Sequence, residues 1–375
     1  MRKRPISPEG AAKKHPAVQL ILKVLGQLFF ALFAVILMAV ITLGCVCNMI
    51  FNGPSPSARN VLTMSMLESS GMKWFPALFI GEETVEEIQA SVSAKLPEEV
   101  SDVSQIFIQT DDALAGENSE WADCADGIRI EQITGDTYTA HVMLIRDPSR
   151  VYVGVADKSF SVDKPTTRIG NIIERENASA GVNGGAFNDD GTRDPSNGRL
   201  PIGLVLSKGE VIWTSGGSYD GFVGFTQDHT LVVATTMNKA RAQELNIRDG
   251  CCFGPVLIMN GMVNEEAYNA NSGYNPRTCI GQRADGTVIL LCIDGRQANS
   301  LGGTYADATD IMVEYGAINA CNLDGGSSSI MYYRDTEGRY GEPGALQMIN
   351  NYSLLQEQPR PMPTFILVAP EENGG

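Results

Sequence analysis

The chain has 375 residues, of which 43% are hydrophobic and 19% charged, enough apolar content for one large or two small packed domains and too much for a disordered polymer. Its 44 acidic residues outnumber 28 basic ones, for a net charge of −16. That balance argues against a nucleic-acid binder, which would have to neutralise phosphates, and no nucleic-acid partner is expected.

The first element is an apolar run. From Val24 to Ile50 there is no charged residue, and Leu28 to Val46 carries only Thr42 as a clearly polar side chain. Residues 24–50 therefore read as a transmembrane anchor held in a lipid bilayer. A cleaved leader would have an apolar core of only about 7–15 residues, and a lipoprotein processed at Gly44-Cys45 would be poorly approached by Thr42 and Leu43. Arg2, Lys3, Arg4, Lys13, Lys14 and Lys23 precede the run against Glu9 alone, which places residues 1–23 in the cytoplasm and everything after the span outside, in the cell membrane as a single-pass protein. Beyond residue 50 there are 22 basic and 43 acidic side chains, a net charge of −21, best read as a solvated surface.

Asn52 to Asn60 reads as a stalk. Next come Trp74, Phe75, Leu78 and Phe79, then Glu82, Glu83, Glu86 and Glu87, which suggest an aromatic docking segment and an acidic helix running towards Leu96 and stopped by Pro97. Residues 51–126 are assigned to this stalk and juxtamembrane helical arm, packed on the main domain. From Gly127 the pattern changes to short β-rich runs at Tyr138–Ile145, Arg150–Val155, Leu200–Leu206, Glu210–Trp213, Thr230–Thr235, Pro255–Met259 and Thr287–Ile293. Lys208-Gly209 and Asp285-Gly286 mark hairpins between several of them. A helix over Tyr305–Tyr315 ends at Gly316 and feeds a strand over Ala317–Leu323. The fold class is mixed α+β: a β-rich catalytic domain with largely antiparallel sheets and few helices over residues 127–370, preceded by one transmembrane helix and followed by a tail over 371–375. Cys45 and Cys47 fall in the span; the six cysteines beyond it could pair in many ways, and for Cys279, Cys292 and Cys321 in apolar runs a buried thiol is the simpler reading.

Four glycine-punctuated loops carry the chemistry. The strand over Ala317–Leu323 stops at Asp324-Gly325-Gly326-Ser327-Ser328, where glycines can turn backbone amides toward an anion and the two hydroxyls can bind its oxygens. Asn183-Gly184-Gly185, with Asn188 close behind, offers amide side chains suited to sugar hydroxyls. Asn275-Pro276-Arg277-Thr278 presents a guanidinium whose planar fork suits a phosphate. Asp294-Gly295-Arg296 closes another strand, with acid and guanidinium two residues apart and so on one face. Singly, each loop could be an ordinary turn. Together they indicate a site for a polyhydroxylated, anionic ligand.

These motifs resemble the phosphodiester glycosidase family: Asn183-Gly-Gly-Ala-Phe, Asn275-Pro-Arg-Thr, Asp294-Gly-Arg, Asn322-Leu-Asp-Gly-Gly and Arg360-Pro361, over roughly Gly127 to Pro370. That family includes an enzyme that removes N-acetylglucosamine from its phosphodiester on mannose 6-phosphate and bacterial proteins associated with exopolysaccharides. The chain departs from the family at Asp307, where a glutamate is usual, and at Ser327, where a third glycine is usual. The resemblance implies hydrolysis of the C1–O bond of a sugar-1-phosphodiester in envelope or extracellular glycans. Asp294 and Asp324 are the catalytic candidates, and Asp307 would orient or balance charge. Asn183, Gly184, Gly185, Asn188, Arg277, Thr278, Arg296, Gly325, Gly326, Ser327 and Ser328 would bind substrate. Carboxylates around an oxocarbenium-like transition state need no cofactor, although acids and amides beside glycines could ligate a divalent cation such as calcium. Two other readings use the same loops: a non-catalytic glycan-binding module of envelope or exopolysaccharide assembly, and a transferase with an acceptor other than water. Sugar, aglycone, stereochemical course and oligomeric state are not legible in the residues.

Overall fold

The computed structural model describes residues 16–67, 71–90, 99–108, 120–189, 198–216, 219–352 and 358–371. The basic cluster before Lys23, the end of the acidic helix at Leu96-Pro97 and most of the tail lie outside them. The chain divides into two compact units, Met1–Pro56 and Ser57–Gly375.

The first unit holds helix α1, Pro16–Phe51. Its Lys23–Phe51 stretch is 29 residues long and contains an 18-residue window with a mean hydropathy of 2.8; the stretch makes about 40 Å of helix against the roughly 30 Å of a bilayer's hydrocarbon. By length and composition the helix can span a bilayer, a test that a signal sequence near the N-terminus also passes.

The second unit opens with α2 (Pro56–Leu67), which begins at the boundary, α3 (Ala77–Ile80) and α4 (Glu82–Ala90). Three antiparallel sheets follow, with strands numbered along the chain. The largest runs in the order β1 (Ile128–Thr134), β2 (Thr139–Ile145), β13 (Val288–Ile293), β12 (Arg277–Arg283), β14 (Ala317–Leu323), β10 (Val256–Met259) and β11 (Met262–Val263). A second is β16 (Leu346–Met348), β15 (Met331–Arg334), β4 (Ala180–Asn183), β17 (Thr364–Val368) and β3 (Val151–Val155). The third is β6 (Glu210–Thr214), β5 (Leu204–Ser207), β9 (Ile247–Cys251), β7 (Tyr219–Thr226) and β8 (Leu231–Met237). The β-rich, antiparallel class expected from the sequence is the one observed.

Side-chain alternation explains how the sheets stack. In β13, Val288, Leu290 and Cys292 join a core shared by strands of all three sheets. Ile289, Leu291 and Ile293 point the other way, into a second core with Ile311 and Met312 of the helix Tyr305–Glu314 and with Met64 and Ile88 of the arm. A strand covered on both faces is therefore written as an unbroken apolar run. Each fully buried aliphatic side chain there stabilises the fold by about 1.5–3 kcal/mol. Lys208 and Gly209 turn β5 into β6 with φ of 52° and 83°, the paired positive values a tight hairpin requires. Gly203 at φ 84° delays the start of β5, which begins at Leu204 and not at Leu200.

All eight cysteines are free thiols, and Cys251, Cys252, Cys279, Cys292 and Cys321 are buried. Burial pushes Cys252 up to about 11 and Cys279 up to about 12, which leaves them inert at neutral pH.

Candidate active site

Sheet register assembles the site. Thr278 of β12 lies opposite both Cys292 of β13 and Leu323 of β14, so the start of β12 and the ends of β13 and β14 meet at one edge of the large sheet. Asn183 at the end of β4 lies opposite Phe365 of β17 in the second sheet. The two edges join through backbone bonds: the Asp324 amide donates to the Gly184 carbonyl at 3.2 Å, and the Gly326 amide to the Pro276 carbonyl at 2.9 Å. A Cβ on Gly295 would fall 2.7 Å from the Pro276 nitrogen, so the fourth loop is packed against the third. The four glycine-punctuated segments thus fold into one place.

At its centre Asp324 keeps a partly open surface. Burial of the carboxylate raises its pKa to about 6, against the Ser328 hydroxyl, Arg360 and the Gly325 amide, which favour the ion, while Asp189 adds to the rise. Ser328 Oγ lies close enough to favour that charge without making a hydrogen bond of good geometry. Arg360 Nη1 donates to Asp189 Oδ2 at 2.7 Å and reaches Ser327 Oγ at 3.5 Å, while its guanidinium lies 4.9 Å from the centre of the Phe187 ring. Burial works against the charge on Arg360, but Asp189 and Asp324 hold its pKa above the usual value. Tyr352 braces this corner, its hydroxyl donating to the Ser327 carbonyl at 2.7 Å and accepting from the Arg360 amide at 3.3 Å.

The other residues singled out in the sequence lie around or beneath this centre. Asn183 is fully buried: its Nδ2 donates to the Asp324 carbonyl at 2.6 Å and its Oδ1 accepts from Thr278 Oγ1 at 2.8 Å and the Ile330 amide at 3.2 Å. Asn183 and Thr278 therefore tie the loops together from below. Gly184 and Gly185 serve close packing, since a Cβ would fall 2.7 Å from the Thr364 carbonyl carbon and 2.7 Å from the Cys252 carbonyl oxygen respectively. The Gly325 amide faces Asp324 Oδ1 at 3.0 Å and that of Gly326 is held by Pro276. Both amides are engaged within the protein. Asn188, partly exposed, exchanges backbone bonds with Leu200 and Gly198.

Four charged residues stand apart from this centre. Arg277 is 1% exposed, its Nε donating to the Gly303 carbonyl at 3.1 Å and its Nη2 to those of Ser272 and Gly273 at 2.8 and 3.1 Å, with the guanidinium 4.2 Å from the centre of the Tyr305 ring. In this geometry it holds backbone, and a phosphate does not reach it. Asp294 is also 1% exposed; it accepts from the Asn351 amide at 3.0 Å and Nδ2 at 2.8 Å, with His141 Nε2 at 3.5 Å. Asp307 closes a capping box, accepting from the Thr304 amide at 2.7 Å and hydroxyl at 2.6 Å, where its short side chain suits helix start as well as a glutamate would. Arg296, exposed at φ 58°, donates to Asn275 Oδ1 at 3.2 Å on the rim.

Asp189, Tyr352 and Asn351 carry no mark in the sequence, and Arg360 is marked only within Arg360-Pro361. Asp189 follows directly on the Asn183–Asn188 loop, which is its one local signal. No group of three or more His, Cys, Asp or Glu side chains able to hold a metal ion occurs among the described residues.

Fold and site together define a β-rich protein whose sheet edges present a carboxylate and a guanidinium in a loop-built centre. The chain belongs to the phosphodiester glycosidase family: the family model matches residues 176–369, more than half of the 375 residues. It is similar to the SPbeta prophage-derived uncharacterized protein YomE of Bacillus subtilis (strain 168), 44% identical over 66 residues, covering 18% of this chain and 10% of that protein. It is also similar to bovine N-acetylglucosamine-1-phosphodiester alpha-N-acetylglucosaminidase, 26% identical over 155 residues, covering 37% of this chain and 29% of that one. The chain thus spans less than a third of either relative. Among solved structures, the zebrafish N-acetylglucosamine-1-phosphodiester alpha-N-acetylglucosaminidase catalytic domain, auto-inhibited by its pro-peptide, aligns with a TM-score of 0.48 at 22% identity, over 64% of this chain and 82% of that one.

Proposed function

We propose that this protein is a membrane-anchored hydrolase that cleaves the C1–O bond of a sugar-1-phosphodiester, N-acetylglucosamine-1-phosphodiester-like, in a glycan outside the cell. The observation that carries the reading is partly open Asp324 within the electrostatic reach of Arg360 at the junction of two sheets, in a chain of the phosphodiester glycosidase family. The ionised Asp324 attacks the anomeric carbon or steers water to it. Water supplies the hydroxyl of the free sugar, and the departing oxygen leaves on a phosphate monoester, whose second ionisation near pKa 6 makes it a good leaving group without a strong acid. Arg360, with Nη2 and Nε unpartnered among the described residues, binds the phosphoryl oxygens; Ser327 lies beside it. Asp294 positions the Asn351 segment below. No cofactor enters this scheme, and a divalent cation such as calcium would be an addition to it. The charge asymmetry around α1 supports an N-terminus in the cytoplasm and the site outside.

Incubating the detergent-purified chain with a GlcNAc-1-phosphodiester is expected to release free sugar and phosphate monoester in equal amounts. Binding without turnover would favour a glycan-binding module instead, and a new glycoside would favour transfer.

A pH profile follows from the raised pKa of Asp324. If its ion is the reacting form, kcat/KM climbs on an acid limb with an apparent pKa of about 6. The folded state holds this proton more tightly than the unfolded one, so stability owed to the residue falls as pH rises from 3.8 to about 6. Activity and stability should run in opposite directions across that window. Activity falling through pH 6 would make Asp324 the acid instead.

A further inference from the structure

Lys73 lies in the turn before α3, outside the stretch matched by the family model, yet its Nζ donates to the Asp189 carbonyl at 2.6 Å across 116 positions of sequence. Asp189 thus stands between two cations: its backbone oxygen takes the Lys73 ammonium and its carboxylate takes the Arg360 guanidinium at 2.7 Å. The arm that delivers Lys73 is firmly seated. On α2, Ser65 Oγ accepts from the Tyr274 amide at 3.1 Å, and Gly273 approaches so closely that a Cβ would fall 2.7 Å from the Ser65 nitrogen. Further along, Phe75 and Phe79 pack with ring centres 5.2 Å apart, and Pro76 is buried between them in sequence.

Charge explains why the site benefits from such a residue. Asp189 and Asp324, both ionised, outnumber Arg360, so the three groups together repel a phosphodiester anion. Lys73 brings the local sum to zero. It also fixes the backbone of the residue that aims Arg360.

We propose that Lys73 is a positioning residue for substrate phosphate: the arm before the family's matched stretch completes the anion site by holding Asp189 and supplying a second positive charge. This rests on the reading of Arg360 as the phosphate-binding group. The test uses the full-length chain in detergent, with Lys73→Met and Lys73→Arg, and measures KM, kcat, and binding of inorganic phosphate by calorimetry. Lys73→Met should raise both KM and the phosphate dissociation constant by about tenfold while kcat stays within about twofold, with the effect shrinking at high salt and Lys73→Arg restoring affinity. Unchanged phosphate affinity in Lys73→Met overturns the proposal. So does a loss of kcat with lowered thermal stability that Lys73→Arg fails to restore, which would mark the contact as merely structural. Phosphate binding needs no turnover: a wild-type chain that binds phosphate in a Lys73-dependent way but releases no sugar would remove the hydrolase reading and keep this one.

Discussion

Replacing Asp324 by asparagine is expected to lower kcat by about three to four orders of magnitude while leaving the fold intact. The amide is isosteric and can still accept from the Gly325 amide now 3.0 Å away, so the loop keeps its shape. What disappears is the negative charge, and with it attack on, or stabilisation of, a cationic anomeric centre. The stability signature separates this from simple damage. Ionising the wild-type carboxylate costs stability because burial raises its pKa to about 6. The neutral amide of Asp324→Asn has no such cost, so the variant's melting temperature relative to wild type should improve as pH rises from 3.8 to about 6 and hold level above it. Undiminished sugar release by a folded Asp324→Asn protein would remove the residue from the mechanism.

Legibility followed the range of the interaction. The run Ala317–Leu323 into Asp324-Gly325-Gly326 was readable because apolar strand, acid and glycine are neighbours in the chain. The same holds for the helix that starts in a Thr304–Asp307 capping box and ends before Gly316 at φ 79°. Strands β7 and β9 escape a reading of the sequence, because their glycines interrupt the alternation: Gly224 and Gly250 lie opposite each other, and a Cβ at either would strike the Phe222 ring at 2.9 or 2.4 Å. The meeting of four loops was inferred from repeated chemistry, and sheet register supplies the physical cause. Which guanidinium stands near Asp324 was not legible at all. Arg277 sits in a glycine-rich loop and Arg360 beside a proline, yet only tertiary contacts decide that the first is roofed by Tyr305 and the second stands near Asp324. Lys73 illustrates the same limit, since nothing near it in sequence points to Asp189.

Those two arginines make opposite predictions. Arg277→Met is expected to destabilise the fold by about 3–5 kcal/mol, because three buried carbonyls, of Ser272, Gly273 and Gly303, lose their donor where water does not reach them. Lysine should not rescue it: one ammonium cannot span carbonyls that a planar guanidinium meets from Nε and Nη2, nor stack as flatly on Tyr305. Arg360→Met should do the reverse, lowering phosphate affinity sharply with a small change in melting temperature, since its ion pair with Asp189 retains some exposure on both sides. Thermal melts with and without inorganic phosphate measure both at once. A stable Arg277→Met protein that has lost phosphate protection, beside an Arg360→Met protein that keeps it, would exchange the two roles and return the anion site to the loop at Asn275–Thr278. The expected pattern instead leaves β12 to carry a buried guanidinium as a strut under the site, while the strand-end carboxylate and Arg360 face the substrate.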